Sequence, residues 1–341
     1  MEKTFIFGRN ILICAIVLLL ALAGCSGNQP PAGSGVPEVT PSETAEPEQA
    51  TGADIINIGV LQGPTGMGIV KLMDDEKYNI EIVGSPDFLI GKIITGELDL
   101  AAVPPNLASI LYQRTDGEIQ LLVIHTLGIL YVLENGGEIS SIGDLAGKTL
   151  YTSGKGSMPD FVIQYLLKEH GLVPGEDVVL DYSAQHADLA ALIASGQQNL
   201  ALLPQPFVTS VMMQNEDVHI ALDITEEWKN VAGTELPMGV LIGQKSFINN
   251  NKDALDEFLA EYEESIRFVN SNTEEAAQLI AEYGILPNAQ VAARALPYCN
   301  IVYIDAAGSK DSLHNLFNVL NSLDPESIGG KIPDDEFYYA P

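Results

Sequence analysis

The chain has 341 residues, and its 46 acidic side chains outnumber its 16 lysines and arginines, which gives a formal net charge of −30. A charge of this size repels nucleic acid and anionic lipid headgroups, so it argues against both as partners. It also disfavours a ligand with several negative charges, unless the binding site is locally positive.

The first 24 residues have the pattern of a secretory signal peptide. Lys3 and Arg9 precede an apolar run at residues 11–23, which is short for a membrane span. The run ends in the sequence LAGC, which is similar to the lipobox of bacterial lipoproteins. This resemblance implies cleavage before Cys25 and attachment of lipid to it. An uncleaved anchor is the alternative, and both interpretations place the rest of the chain outside the cytoplasm at a membrane surface.

Residues 25–54 are predicted to form a flexible tether. They are rich in proline, glycine, serine, threonine and glutamate, and they contain almost no large apolar side chain with which to form a core. At about 3 Å per residue, such a segment would let the folded part move well away from the bilayer. Of the three cysteines only Cys299 lies beyond the tether, so no internal disulfide is predicted.

A repeated unit organises the folded part. Residues 93–107 read IITGELDLAAVPPNL, and residues 193–207 read IASGQQNLALLPQPF. Each copy predicts a helix that ends at a glycine, then a short apolar strand and a proline stop. Chance agreement is the alternative, but a strand, a glycine-rich loop and an amphipathic helix precede both copies, from Ile56 and from Lys148. We therefore predict two α/β lobes whose loops face a shared cleft.

The first of these loops follows an apolar strand at residues 55–61 and reads GPTGMG from Gly63. It is not a dinucleotide fingerprint, because Val70 and Lys71 follow and Lys71 stands where the third glycine would be needed. The loop predicts an array of backbone amides at the start of a helix, which suits the acceptor oxygens of a ligand. The alternative is that the glycines only form the turn.

Other loops of the first lobe offer further candidate contacts. Ser85 follows the next strand, Pro104 and Asn106 end the first repeat, and Thr126 lies near the end of a long apolar strand. The neighbouring His125 is interpreted as a core residue rather than a ligand contact.

The segment DLAGKT at residues 144–149 ends like a phosphate-binding loop, but Ile142 stands where that loop needs its first glycine. The segment resembles instead the entry to the second lobe of bacterial ABC-transporter substrate-binding proteins. Within that family it is similar to the branch that serves nitrate, sulfonate, taurine and pyrimidine-precursor importers. The strand, Gly-Ser loop and helix at residues 150–167, and the units after Gly96 and Gly196, share this resemblance, which covers nearly all of the chain from Ile55.

The resemblance implies an α/β, two-lobe, periplasmic-binding-protein-like fold of class II, with two crossing segments between the lobes. The predicted boundaries are residues 55–135 for the first part of lobe 1, 136–234 for lobe 2, and 235–341 for the return to lobe 1 and the C-terminal helices.

In the second lobe, Lys155 is the one cation within the predicted cleft loops, where it could pair with an anionic ligand or simply be solvated. Gln205 ends the second repeat at the position of Asn106 in the first. Amides and hydroxyls favour a small polar heterocycle or an amino-acid-like solute over a sugar, because the only indole, Trp228, is interpreted as lying at a surface helix end. The candidate ligand-binding residues are Gly63, Pro64, Thr65, Gly66, Met67, Ser85, Pro104, Asn106, Thr126, Ser153, Lys155, Gly156, Ser157 and Gln205.

The sequence thus predicts a monomeric solute-binding lipoprotein of an ABC importer, held by its lipid at the extracytoplasmic face of the cell membrane. It would capture a small molecule between its lobes and deliver it to the permease, with no cofactor, metal or catalytic residues. The alternatives are an enzyme of the same fold acting on a pyrimidine- or menaquinone-related molecule, and a ligand sensor. The scattered histidines and the lack of a nucleophile motif argue against the enzyme.

Overall fold

The computed structural model describes residues 55–341. The predictions for the signal peptide, Cys25 and the tether concern residues outside this part. The strands are β1 (Ile56–Leu61), β2 (Tyr78–Val83), β3 (Leu100–Val103), β4 (Ile119–Thr126), β5 (Leu130–Asn135), β6 (Thr149–Tyr151), β7 (Val179–Asp181), β8 (Leu200–Pro204), β9 (Val218–Asp223), β10 (Gly239–Gln244) and β11 (Ile301–Asp305).

Helices cover both faces of the strands. They are α1 (Pro64–Met67), α2 (Asp87–Thr95), α3 (Pro105–Arg114), α4 (Met158–Glu169), α5 (His186–Ala194), α6 (Phe207–Gln214), α7 (Ile224–Ala232), α8 (Lys245–Asn250), α9 (Lys252–Ser271), α10 (Thr273–Glu282), α11 (Ala289–Ala295) and α12 (Ala306–Leu323). Within residues 55–341, none of these helices is both long and apolar enough to cross a membrane.

The strands form two sheets built on one plan. The first has the order β11-β4-β10-β3-β1-β2 and the second the order β7-β6-β8-β5-β9. In each sheet three parallel strands are followed by an antiparallel one, β10 or β5, and then by a strand antiparallel to that one. The predicted α/β fold with two lobes is confirmed, and the strand orders explain why residues 93–107 recur at 193–207.

The two connections between the sheets bring their carboxyl edges together. Strands β1 to β4 all end at one edge of the first sheet. A link of three residues joins β4 to β5. Strand β5 begins beside the end of β8, where Leu130 pairs with Pro204. The second connection returns through residues 233–238, and Met238 N–H donates to the Thr126 carbonyl across 2.9 Å. Because both links join the carboxyl edges of the sheets, these edges face each other.

The hydrophobic clusters indicate the side on which the two lobes are joined and the side on which they are separate. One hydrophobic cluster continues through both lobes and includes Phe161 of α4 and Phe317 of α12. On the opposite faces the clusters are separate, one around Phe258 in the first lobe and another around Leu189 in the second. The continuous core therefore marks the side on which the lobes are held, and the cleft opens between the two separate clusters.

Two sequence-based expectations were wrong. The amphipathic helix predicted after the first loop is only the four-residue α1, followed by a separate 3-10 turn. A side chain at Gly66 would lie 2.5 Å from the Leu61 carbonyl oxygen, so the close approach of the backbone requires glycine at this position. Trp228 is fully buried against Tyr165, with ring centres 5.1 Å apart, because α7 turns its charged neighbours outward and the indole inward.

Candidate functional site

The loop after β1 lies at the cleft edge, but most of its polar groups are already paired. Gly63 N–H donates to the Ile285 carbonyl across 3.1 Å, and Gly66 N–H donates to the Gly63 carbonyl across 3.0 Å. Met67 is fully buried in the core, and Pro64 is buried as well. The predicted row of free amides is therefore absent at Gly63 and Gly66, and the half-buried Thr65 is the polar side chain that the loop offers to a ligand.

The next two loops contribute one occupied and one free polar side chain. The Ser85 hydroxyl accepts from Asp87 N–H across 3.4 Å. Pro104 and Pro105 lead into α3, and Asn106 in its first turn is half-buried, with no side-chain hydrogen bond to another described residue. Asn106 can therefore both donate to and accept from a ligand in the cleft.

At the end of β4, His125 and Thr126 are almost completely buried. Nδ1 of His125 lies 2.8 Å from Oγ1 of Thr126, so the threonine hydroxyl already has a partner. Nε2 of His125 has no hydrogen-bond partner among the described residues. Burial lowers the pKa of His125 to about 4, because the charged imidazolium cannot be solvated there. The ring is therefore neutral at physiological pH, as expected for a core histidine.

The second lobe presents an aromatic pair that the sequence analysis did not single out. The hydroxyl of Ser153, just after β6, lies 2.5 Å from Nδ1 of His186 at the start of α5. The His186 ring stacks on Phe207 at the start of α6, with centres 5.5 Å apart and planes inclined by 30°. Burial lowers the pKa of His186, which favours a neutral ring that accepts from the serine.

The repeated plan of the two sheets could have drawn attention to His186. It follows β7, which occupies in the second sheet the place of β2 in the first, and the candidate Ser85 follows β2. His186 has no hydrogen bond to a described carboxylate, so Ser153 and His186 do not complete a catalytic triad within residues 55–341.

The glycine-rich loop of the second lobe is held by one buried carboxylate. Asp160 accepts from Gly156 N–H across 2.7 Å, from the Gln164 amide across 2.6 Å and from the Tyr182 hydroxyl across 2.5 Å. The Gly156 amide is therefore occupied. Lys155 is exposed, with its ammonium 5.8 Å from the centre of the Tyr182 ring, and Ser157 N–H donates to the Gly154 carbonyl.

Replacement of Asp160 by asparagine is expected to lower the free energy of unfolding by about 2 kcal/mol, because a donor group replaces one acceptor oxygen at a buried site. Urea denaturation would measure the change. Asp188→Asn is the matched control, since Asp188 is exposed and makes no side-chain hydrogen bond to another described residue. Equal denaturation midpoints for the two variants would show that Asp160 does not hold the loop.

Gln205 lies at the junction of the lobes, where its N–H donates to the Ile129 carbonyl across 2.9 Å. It lines a cavity of about 430 Å³ between α6 and the segment that follows α10. Beside this cavity the Tyr131 hydroxyl of the second sheet donates to the Tyr298 carbonyl of the first lobe across 3.2 Å. The residues that line the cavity are Gln205, Thr209, Met212, Met213, Ile220, Arg294, Pro297 and Tyr298.

The predicted site residues thus reach the facing edges of both sheets but differ in availability. Thr65 and Asn106 are half-buried and offer polar side chains to a ligand, whereas Met67, Thr126, Ser153 and Gln205 are buried. The Ser153 hydroxyl is bonded to His186, and Nε2 of Gln205 has no hydrogen bond to another described residue. Among residues 55–341, no group of three or more histidine, cysteine or acidic side chains is arranged to hold a metal ion.

Comparison with known proteins supports the same architecture. Residues 117–276 match the family model described as NMT1/THI5 like. The structure of an ABC transporter protein from Parabacteroides distasonis is 24% identical, with a TM-score of 0.72 over 84% of this chain and 99% of that chain. The predicted resemblance to ABC-transporter substrate-binding proteins is confirmed. The periplasmic aliphatic sulphonate binding protein SsuA of Escherichia coli is 17% identical, with a TM-score of 0.64 over 84% of this chain and 92% of that chain.

A curated relative matches more locally. The protein named "Putative binding protein YtlA" of Bacillus subtilis is 29% identical over 114 residues, which is 33% of this chain and 32% of YtlA. The matching region thus spans about a third of that relative's length.

Proposed function

We propose that the protein is the solute-binding component of an ABC importer, which captures a small polar molecule between its two lobes and delivers it to a permease. The observation that carries this proposal is the facing of the two carboxyl edges across the short connections. In open α/β sheets ligands bind beyond these edges, and here two such edges enclose one space.

The distribution of polar groups supports binding rather than chemistry. Thr65 and Asn106 are half-buried on the first lobe, and Ser153 and His186 form a hydrogen-bonded pair on the second. A ligand that bridges the two sets would stabilise a closed state, because it gains contacts from both lobes only when they approach.

The cellular setting is part of the same proposal. The apolar run and the sequence LAGC before the polar tether favour lipid attachment at Cys25 and a location at the extracytoplasmic face of the membrane. Mass spectrometry of the protein from membranes would test this, since acylation at Cys25 raises the mass of the N-terminal peptide.

Binding of the natural solute is expected to compact the protein, because closure brings the lobes together about the short connections. The solute would be recovered from the purified protein and identified by native mass spectrometry, then added back to solute-free protein while the radius of gyration is followed by X-ray scattering. A compound without effect on thermal stability serves as control. A solute that raises the melting temperature without reducing the radius would count against closure.

A further inference from the structure

The cavity between the lobes has walls from both of them. Thr209, Met212 and Met213 belong to α6 of the second lobe, whereas Arg294 lies in the last turn of α11 and Tyr298 follows that helix in the first lobe. The volume of about 430 Å³ is sufficient for a small organic molecule. A ligand here would touch both lobes at once.

The charge in this cavity has the opposite sign to that of the whole protein. Arg294 is the only charged side chain among the residues that line it, whereas the chain carries a net charge of −30. Arg294 makes no ion pair with any carboxylate of residues 55–341. Its guanidinium is therefore available, and its planar donors match a carboxylate in a bidentate pair.

Gln205 supplies a second donor from the opposite lobe. Its side chain is 2% exposed, and its Oε1 accepts from the N–H of Thr209 across 3.3 Å and from the hydroxyl of Thr209 across 2.8 Å. A backbone N–H can only donate, so the atom facing it must be the amide oxygen, which fixes the orientation of the amide. Nε2 therefore points the other way and has no hydrogen bond to another described residue.

The remaining walls are mostly apolar. Met212, Met213, Ile220 and Pro297 line the cavity, and Met212 is 37% exposed. Flexible methionine side chains can adapt to ligands of different shape. These walls favour an apolar body, while the two donors favour an anionic head.

We propose that this cavity binds a singly charged organic carboxylate with an apolar body, held by Arg294 from the first lobe and by the Gln205 amide from the second. The proposal rests on the proposed function, because it names a class of solute for a cavity that both lobes line. Of the candidate cleft residues described above, Gln205 lines this cavity, whereas Thr65, Asn106, Ser153 and His186 do not. A single charge is specified because one cation lines the cavity and the strongly acidic protein repels multiply charged anions.

The test is calorimetric titration of the full chain with phenylacetate, hexanoate and indole-3-acetate, each compared with its uncharged amide. At least one acid is expected to bind, with its amide weaker by about tenfold or more, because the ion pair with Arg294 is lost. Arg294→Gln is expected to weaken the acid by a similar factor, and Arg294→Lys by less. Gln205→Glu keeps the oxygen that Thr209 needs but replaces the free donor with a charge, so it is expected to abolish binding of the acid.

Arg267→Gln is the matched control for charge, because Arg267 is an exposed cation paired with Glu263 and does not line the cavity. It is expected to leave acid affinity unchanged within about twofold. Equal binding of an acid and its amide, unchanged acid affinity in Arg294→Gln, or failure of all three acids to bind would overturn the carboxylate proposal. In the last case a recovered solute of other chemistry that still compacts the protein would leave the proposed function standing. An acid that binds through Arg294 without compacting the protein would support the carboxylate proposal and count against the proposed function.

Discussion

Gly128→Ala is expected to destabilise the protein by about 3 kcal/mol or more, because a side chain at this position has no room. Gly128 lies in the first connection between the lobes, where an added Cβ would fall 2.1 Å from Oγ1 and 2.8 Å from Cγ2 of Thr225 in the second lobe. The Gly128 carbonyl also accepts from the Asn300 side-chain amide across 2.5 Å, which limits any shift of the backbone. Chemical denaturation would measure the loss.

Two variants separate this clash from a general effect of replacing glycine. Gly91→Ala lies on the exposed side of α2 with nothing near its Cβ position, so it is expected to stabilise the protein by about 0.5–1 kcal/mol. Adding Thr225→Ala to Gly128→Ala removes Oγ1 and Cγ2 and should recover part of the lost stability. If Gly128→Ala unfolded at the same denaturant concentration as the wild type, the connection would have more freedom than its packing indicates.

The second large effect concerns the pH dependence of folding through His125. Its pKa rises from about 4 in the folded protein to its ordinary value of 6.5 on unfolding, because burial disfavours the charged form. Between these values the unfolded state binds the proton and the folded state does not, so stability falls as the pH decreases from 6.5 to 4. The contribution of His125 over this window is expected to be about 3 kcal/mol.

Urea denaturation of wild type and His125→Gln across this pH range would isolate the contribution, because the other titrating groups are common to both proteins. The free energy of unfolding of the wild type should fall more steeply. Thr126→Val is the companion variant: it removes the hydroxyl beside Nδ1 but keeps the imidazole, so it should retain the steep dependence. Parallel curves for wild type and His125→Gln would contradict the burial of a neutral ring.

The His125 ring, whose Nε2 has no partner among the described residues, packs closely against the second connection. The ring lies beside Gly239 at the start of β10, where an added Cβ would be 2.5 Å from Cε1. Gly128 and Gly239 thus occupy equivalent situations, each allowing close approach of a side chain where the chain passes between the sheets. Neither position has room for a larger side chain.

Some residues of the candidate site could be recognised from local sequence signals, and others could not. The loops that contain Ser153 and Gln205 were recognisable because strand, turn and helix signals are local in sequence. His186 and Arg294 were not recognised, since neither lies in a motif and the role proposed for each depends on neighbours distant in the chain. Gly156 was listed as a candidate ligand contact, but its amide donates to Asp160 four residues later.

The sequence by itself determined the α/β class, the duplicated plan of the lobes and the places where strands give way to loops. These features follow from hydrophobic periodicity and from the backbone preferences of glycine and proline, which act over a few residues. Only the tertiary structure decided which polar atoms remain free in those loops. Whether a donor such as the Gly156 amide or the Gln205 amide already has a partner depends on side-chain packing and on contacts between segments far apart in the chain.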